Sequence, residues 1–133
     1  MKLKLALFIL GLSLASCMSK SENTMEDNTI QNNPKLRHVV LFKFKDSATS
    51  ENIKKIELAF SALESKIDEI EEFEWGINNS PENLNKGFTH SFLITFNSEE
   101  AREIYLPHPS HQEFVNLLQP YLEDVLVIDY WTK

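Results

Sequence analysis

Residues 37–45 (RHVVLFKFK) alternate, with His38, Val40, Phe42 and Phe44 on one face and Val39 and Leu41 among the polar residues of the other. Both faces of this strand therefore expect cover. After a polar turn at 46–50, Ile53, Ile56, Phe60, Leu63, Ile67 and Ile70 recur at spacings of three and four. That predicts one amphipathic helix running to Ile70, with Lys54, Lys55, Glu57, Glu64 and Lys66 on its outer side. A second strand is expected over 72–78, with Phe73, Trp75 and Ile77 on one face, followed by a turn-rich loop over 79–87. Residues 88–96 (FTHSFLITF) form the cleanest alternation, with Phe88, His90, Phe92, Ile94 and Phe96 together. Asn97 with Glu100 reads as a capping box opening a short helix to Tyr105. Pro109 suits the first turn of another helix through Leu122, with Phe114, Leu117, Leu118 and Tyr121 inward and Pro120 shortening its end. The last strand spans 124–131, with Val125, Val127 and Asp129 on the helix side and Leu126, Ile128 and Tyr130 opposite.

The order β-α-β-β-α-β predicts an α+β domain with a ferredoxin-like antiparallel sheet and helices on one face. The other face then carries Val39, Leu41, Leu93, Leu126, Ile128 and Tyr130 uncovered. That patch is too apolar for a monomer's surface, so a two-fold homodimer, sheet against sheet, is expected.

The residues before this domain follow another pattern. Lys2 and Lys4 precede an apolar run over 5–14. Ten helical residues rise about 15 Å, half of the ~30 Å of a bilayer core, so this is a signal-peptide core rather than an anchor helix. It ends in Leu14-Ala15-Ser16-Cys17, which resembles a bacterial lipobox cleaved before a lipidated cysteine. Cys17 is the chain's one cysteine, which also excludes an internal disulfide. Residues 1–16 are read as the signal, 17–35 as a polar tether starting at lipidated Cys17, and 36–133 as the folded domain. The expected location is the bacterial cell envelope, lipid-anchored to a membrane, with the domain outside the cytoplasm.

Composition narrows function mainly by exclusion. Of 133 residues, 13 are Lys or Arg and 20 Asp or Glu, a formal net charge of −7, which argues against a nucleic-acid surface. With three glycines there is no glycine-rich phosphate loop, and there is no C-x-x-C; no cofactor is expected. His38 and His90 are expected on strand faces among phenylalanines. A metal there would require a third ligand such as Asp129 or Glu57, and no metal is expected. His111 falls in the first turn of a helix, where the positive end of the dipole disfavours imidazolium and keeps the ring able to accept a proton. Asp129 could hold one of its nitrogens, and Tyr105 could donate to a developing oxyanion. The competing reading has His108-Pro109 simply capping the helix and His111 paired structurally with Asp129.

The segments HVVLFKF (38–44), FEWG (73–76), NKGFTH (85–90), YLPHPSH (105–111) and VLVIDY (125–130), in this order, resemble the stress-responsive dimeric α/β-barrel (Dabb) family. The resemblance covers essentially the whole domain and implies a dimeric α+β barrel. The family includes plant stress proteins and a cofactor-free polyketide cyclase, in which a Tyr and a His of the Y-x-x-H-P-x-H segment carry an aldol condensation. The matching residues are Tyr105 and His111, with Asp129 matching the acidic residue near the catalytic His, and His38 and His90 the strand histidines. The chain departs at Phe42 and Phe92, which are larger than expected there, and at Phe60, which stands where the cyclase has a Tyr, so part of the cavity is expected to be filled. These readings converge on a membrane-anchored domain binding a small apolar or aromatic molecule between sheet and helices, lined by His38, Val40, Phe42, Phe60, His90, Phe92 and Val127. The alternatives are a cofactor-free cyclase or aldol-type enzyme using His111, Tyr105 and Asp129, and a structural or stress-protective dimer without ligand.

Overall fold

The computed structural model describes residues 33–133. The signal, the lipobox at Cys17 and most of the tether lie outside the described residues. Strands β1 (Leu36–Phe44), β2 (Glu72–Ile77), β3 (His90–Phe96) and β4 (Leu122–Trp131) form one sheet in the order β2-β3-β1-β4. All three pairings are antiparallel. Helices α1 (Ser50–Ser61), α2 (Glu99–Tyr105) and α3 (Pro109–Leu118) complete the ferredoxin-like domain. The end of the expected tether is pinned to it. The Lys35 backbone N–H donates to Thr132 Oγ1 at 2.8 Å, its carbonyl accepts from the Thr132 N–H at 2.9 Å, and its ammonium donates to Asn97 Oδ1 at 2.7 Å.

The alternation read along β1 and β3 is what buries the core. Leu36 and Val40 lie across from Phe96 and Phe92 in the register, and with Phe42, which lies across from His90, they pack with Ile56, Phe60, Phe114 and Leu118 of the helices. The helical stripe is also buried, but α1 stops at Ser61 rather than Ile70. Beyond it, Leu63 bonds back to the carbonyl of Phe60, Lys66 to Leu63 and Ile70 to Ile67. These three-residue bonds tighten the chain into turns that keep the side-chain spacing, so Leu63, Ile67 and Ile70 are buried without a continuous α-helix. Helix α3 stops at Leu118, before Pro120, and β4 begins at Leu122, two residues earlier than the alternation indicated.

Two capping assignments differ from expectation. Ser98, not Asn97, caps α2, its hydroxyl accepting from the Ala101 N–H at 3.1 Å. Glu100 carries an acidity set by this turn: its own backbone N–H and then the Ser98 hydroxyl hold its carboxyl below the usual range. At α3 the Nδ1 of His108 accepts from the Ser110 N–H at 3.2 Å, so His108 does cap the helix, with Pro109 in its first turn. Among the described residues no helix is long and apolar enough to cross a membrane.

Strand β4 is one edge of the sheet, and its side chains are mostly open on both faces. On the helix side Val125 and Val127 are 43% and 48% exposed, and on the outer side Leu126 and Ile128 are 41% and 50% exposed. The helices cover β1 and β3 and leave β4 reaching past them.

Candidate functional site

Tyr105, the last residue of α2, is fully buried between two histidines. Its ring centroid lies 4.4 Å from that of His111 in the first turn of α3 and 5.9 Å, edge-on, from that of His38 on β1. The short link from α2 to α3 (residues 106–108) places Tyr105 and His111 together: the His108 N–H bonds to the Tyr105 carbonyl at 3.0 Å, and Pro109 starts the new helix at once. Burial pushes the Tyr105 phenol above its usual range. Its hydroxyl is the one buried side-chain polar atom among the described residues without a hydrogen-bond partner. Such an orphan costs on the order of 1–3 kcal/mol, and an oxygen atom brought by water or a ligand would satisfy it.

Asp129 does not reach His111 as the sequence suggested. The register of β1 and β4 sets it directly across from His38, and its Oδ1 accepts from His38 Nδ1–H at 2.6 Å. Its other oxygen, Oδ2, accepts from Arg102 of α2 at 2.8 Å. His111 instead donates its Nδ1–H to the Leu106 carbonyl at 2.8 Å. The consequence is chemically useful: both His38 and His111 have their proton committed at Nδ1, leaving each Nε2 with its lone pair free among the described residues. Burial holds the His111 imidazole below its usual range; the Leu106 carbonyl works against this, while His38 and His108 reinforce it.

The depressed His111 titration predicts a pH effect. The folded state binds the proton more weakly than the unfolded chain, so the stability tied to neutral His111 is present above the unfolded value near ~6.5 and is lost as pH falls through the lower folded value. Replacing His111 with Gln is expected to flatten that part of the acid limb in denaturant titrations between neutral and mildly acidic pH; an unchanged limb would contradict the assignment.

The phenylalanines expected to line a pocket fill it instead. Phe60 stacks on Phe114 at 4.2 Å and lies 4.6 Å from Phe92 and 5.6 Å from Phe42, all ring centroid distances, and all four rings are buried. Val40 is buried beside them, and Val127 stays half open on β4. A cavity of about 600 Å³ lies elsewhere. Its walls include Trp75, Leu84, Phe88, Leu41, Leu93 and Leu126, at the end of the sheet away from His111. Of the expected ligand-lining residues it holds only His90.

His90 and His38 also separate. His90 opposes Phe42 in the register whereas His38 opposes Ile94, four residues along β3 and so roughly 13 Å away. His90 Nε2–H donates to Glu57 Oε1 at 3.0 Å, and the Thr89 hydroxyl donates to its Nδ1 at 2.8 Å. Glu57 therefore turns inward from α1 rather than lying on its solvated face. Each carboxylate named as a third metal ligand serves a different histidine, and no group of three or more His, Cys, Asp or Glu gathers among the described residues. Arg102 was missed entirely in the sequence, where it reads as one more charge on a short polar helix.

Residues 36–132 match the family described as the stress responsive A/B barrel domain (Dabb). The chain is 41% identical over 95 residues to stress-response A/B barrel domain-containing protein HS1 of Arabidopsis thaliana, covering 71% of this chain and 87% of that protein. Over 95 residues it is 28% identical to olivetolic acid cyclase of Cannabis sativa, covering 71% and 94%. Among solved structures it resembles hydroxynitrile lyase from Passiflora edulis, with 26% identity, a TM-score of 0.72, and 76% and 95% of the two chains covered. It also resembles a dimeric protein of unknown function and ferredoxin-like fold from Bacteroides fragilis, with 25% identity, a TM-score of 0.61, and 74% and 96% covered. The chain belongs to the stress-responsive A/B barrel (Dabb) domain family.

Proposed function

We propose that this domain binds a small molecule through an oxygen atom at the Tyr105–His111 end of the sheet. The observation that carries the reading is the buried, unpartnered hydroxyl of Tyr105, whose ring packs against a His111 imidazole that burial holds below its usual range. A carbonyl or hydroxyl oxygen could accept from the phenol, while Nε2 of His111 or His38 accepts a proton from the same compound. The packed phenylalanines occupy the space between sheet and helices, so the reading is for a compact ligand rather than a long one. Val125 and Val127, open on the helix side of β4, supply apolar surface beside it.

A second reading, cofactor-free acid–base chemistry next to a carbonyl, is favoured by the two free Nε2 lone pairs. It is also supported by likeness to proteins named as a cyclase and a hydroxynitrile lyase. Benzaldehyde serves as the probe for both. Titrated into the chain, it is expected to shift the resonances of Tyr105, His111 and Val127, and Tyr105→Phe is expected to weaken binding about tenfold while leaving the fold intact, the effect of one lost hydrogen bond of ~1.4 kcal/mol. Shifts confined to the cavity around Trp75 and Leu84, or equal binding by Tyr105→Phe, would overturn the assignment.

We further propose that the domain works as a homodimer through the outer sheet face. The apolar outer residues of β1, β3 and β4 support this, as does the dimeric description of the Bacteroides fragilis structure. The lipobox at Cys17 supports lipid anchoring in the bacterial envelope, with the domain outside the cytoplasm. On that reading, labelled palmitate is incorporated by the natural chain and lost completely in Cys17→Ala; equal labelling of the two would remove the anchor.

A further inference from the structure

Helix α2 is fastened to the open edge strand by two of its side chains. Glu99 and Arg102 are three apart and so share a helix face; Asp129 and Trp131 are two apart and so share a strand face. Arg102 Nη1 donates to Asp129 Oδ2 at 2.8 Å, and Trp131 Nε1–H donates to Glu99 Oε1 at 3.4 Å. Elsewhere on this face of β4, Val125 and Val127 stand open. The fastening is thus confined to the end of the strand that carries the His38 partner.

Arg102 has nearer carboxylates on its own helix, in Glu99 and Glu103, yet it crosses 27 residues of sequence to Asp129. The carboxylate is then held from both sides, Oδ2 by Arg102 and Oδ1 by His38. The His38 ring is 6% exposed and edge-on to Tyr105, so its orientation decides where the free Nε2 points. A carboxylate pinned by a guanidinium cannot rotate away from the imidazole, and its proton stays on Nδ1.

We propose that Arg102 is a positioning residue: it locks Asp129 so that His38 is held in the Nδ1–H tautomer, with Nε2 presented beside Tyr105. The proposal deepens the small-molecule reading of that site and rests on it for its purpose, but not for its test. Asp129 is partly open to water, and such ion pairs contribute little to stability, so thermal unfolding does not discriminate.

The discriminating readout is ¹⁵N NMR of the imidazoles in the full chain at neutral pH, without ligand. The natural chain is expected to show a single His38 tautomer, pyrrole-like at Nδ1 and pyridine-like at Nε2, with a slowly exchanging Nδ1 proton. Arg102→Gln is expected to lose that proton signal and average the two nitrogens, and Arg102→Lys to restore the single tautomer. A single Nδ1–H tautomer retained in Arg102→Gln, or averaging that Arg102→Lys fails to restore, overturns the proposal. Should Arg102→Gln not fold, Arg102→Met takes its place, because it keeps the apolar stem and removes the donor: averaging of the two His38 nitrogens supports the role, and a retained single Nδ1–H tautomer overturns it. Benzaldehyde can fail to bind at Tyr105 while the tautomer result stands, so the two failures are distinguishable.

Discussion

Phe60→Ala is expected to cost about 3–5 kcal/mol, enough to consume much of the ~5–15 kcal/mol that holds a domain of this size. The ring is 2% exposed and touches four others: it stacks on Phe114 and Phe42, tilts against Phe92 and meets Phe73 edge-on at 5.2 Å. Removing it takes away both the transfer free energy of the ring and the contacts its neighbours make with it, since β1, β3 and α3 are held by their own bonds and cannot all collapse inward. The denaturant midpoint of the chain reads this directly. The same substitution should create an apolar void beside Phe42 and Phe92, and benzene should recover part of the lost stability by entering it. A loss below about 1 kcal/mol would mean the four rings are loosely packed. The space between sheet and helices would then be available to a ligand after all.

Replacing Leu126 and Ile128 together with Asp is expected to convert the homodimer to a monomer at micromolar concentration, as read by light scattering. Both side chains are about half exposed on β4, so within one subunit the change touches little, and such surface substitutions usually lie within about 0.5 kcal/mol. Across a two-fold interface the same two residues appear twice, so four carboxylates would enter one apolar patch unpaired, at a cost of several kcal/mol each when desolvated. Stable interfaces bury on the order of 1,200–2,000 Å², which the outer faces of four strands can supply. A natural chain that is monomeric under the same conditions, or a doubly substituted chain that stays dimeric, would remove the sheet face as the interface. The cavity walled by Leu41, Leu93 and Leu126 opens on this same face, so dimerisation would also change what can reach it.

Much of the architecture was legible because the signals are local. Alternation of period two in β1 and β3 sorts His38, Val40, Phe42, Phe92 and Phe96 to one face whatever the rest of the chain does. The stripe from Ile56 to Ile70 is buried as its spacing indicates but is not one helix, because a tight turn and an α-turn present nearly the same spacing to the core. Asn97 and Ser98 are both good caps, and the choice between them is decided by where β3 releases the chain.

The candidate site was legible in membership and not in pairing. Tyr105 and His111 sit six residues apart and meet through the intervening turn. The partner of Asp129 lies 91 residues away, and a shift of two positions in the register of β4 against β1 would have given the carboxylate to another side chain on the same face. The inward turn of Glu57 toward His90 and the reach of Arg102 to Asp129 have the same origin, since a charged residue at a helix boundary between faces carries no local mark of which side it takes. The sequence by itself determined the order of elements, the faces of the strands and the family, because each depends on short-range periodicity or on contiguous motifs. Only the tertiary structure decided that the phenylalanines occupy the space a ligand would use, that Asp129 belongs to His38, and that β4 is left open, because these depend on volumes and registers set by segments far apart in the chain.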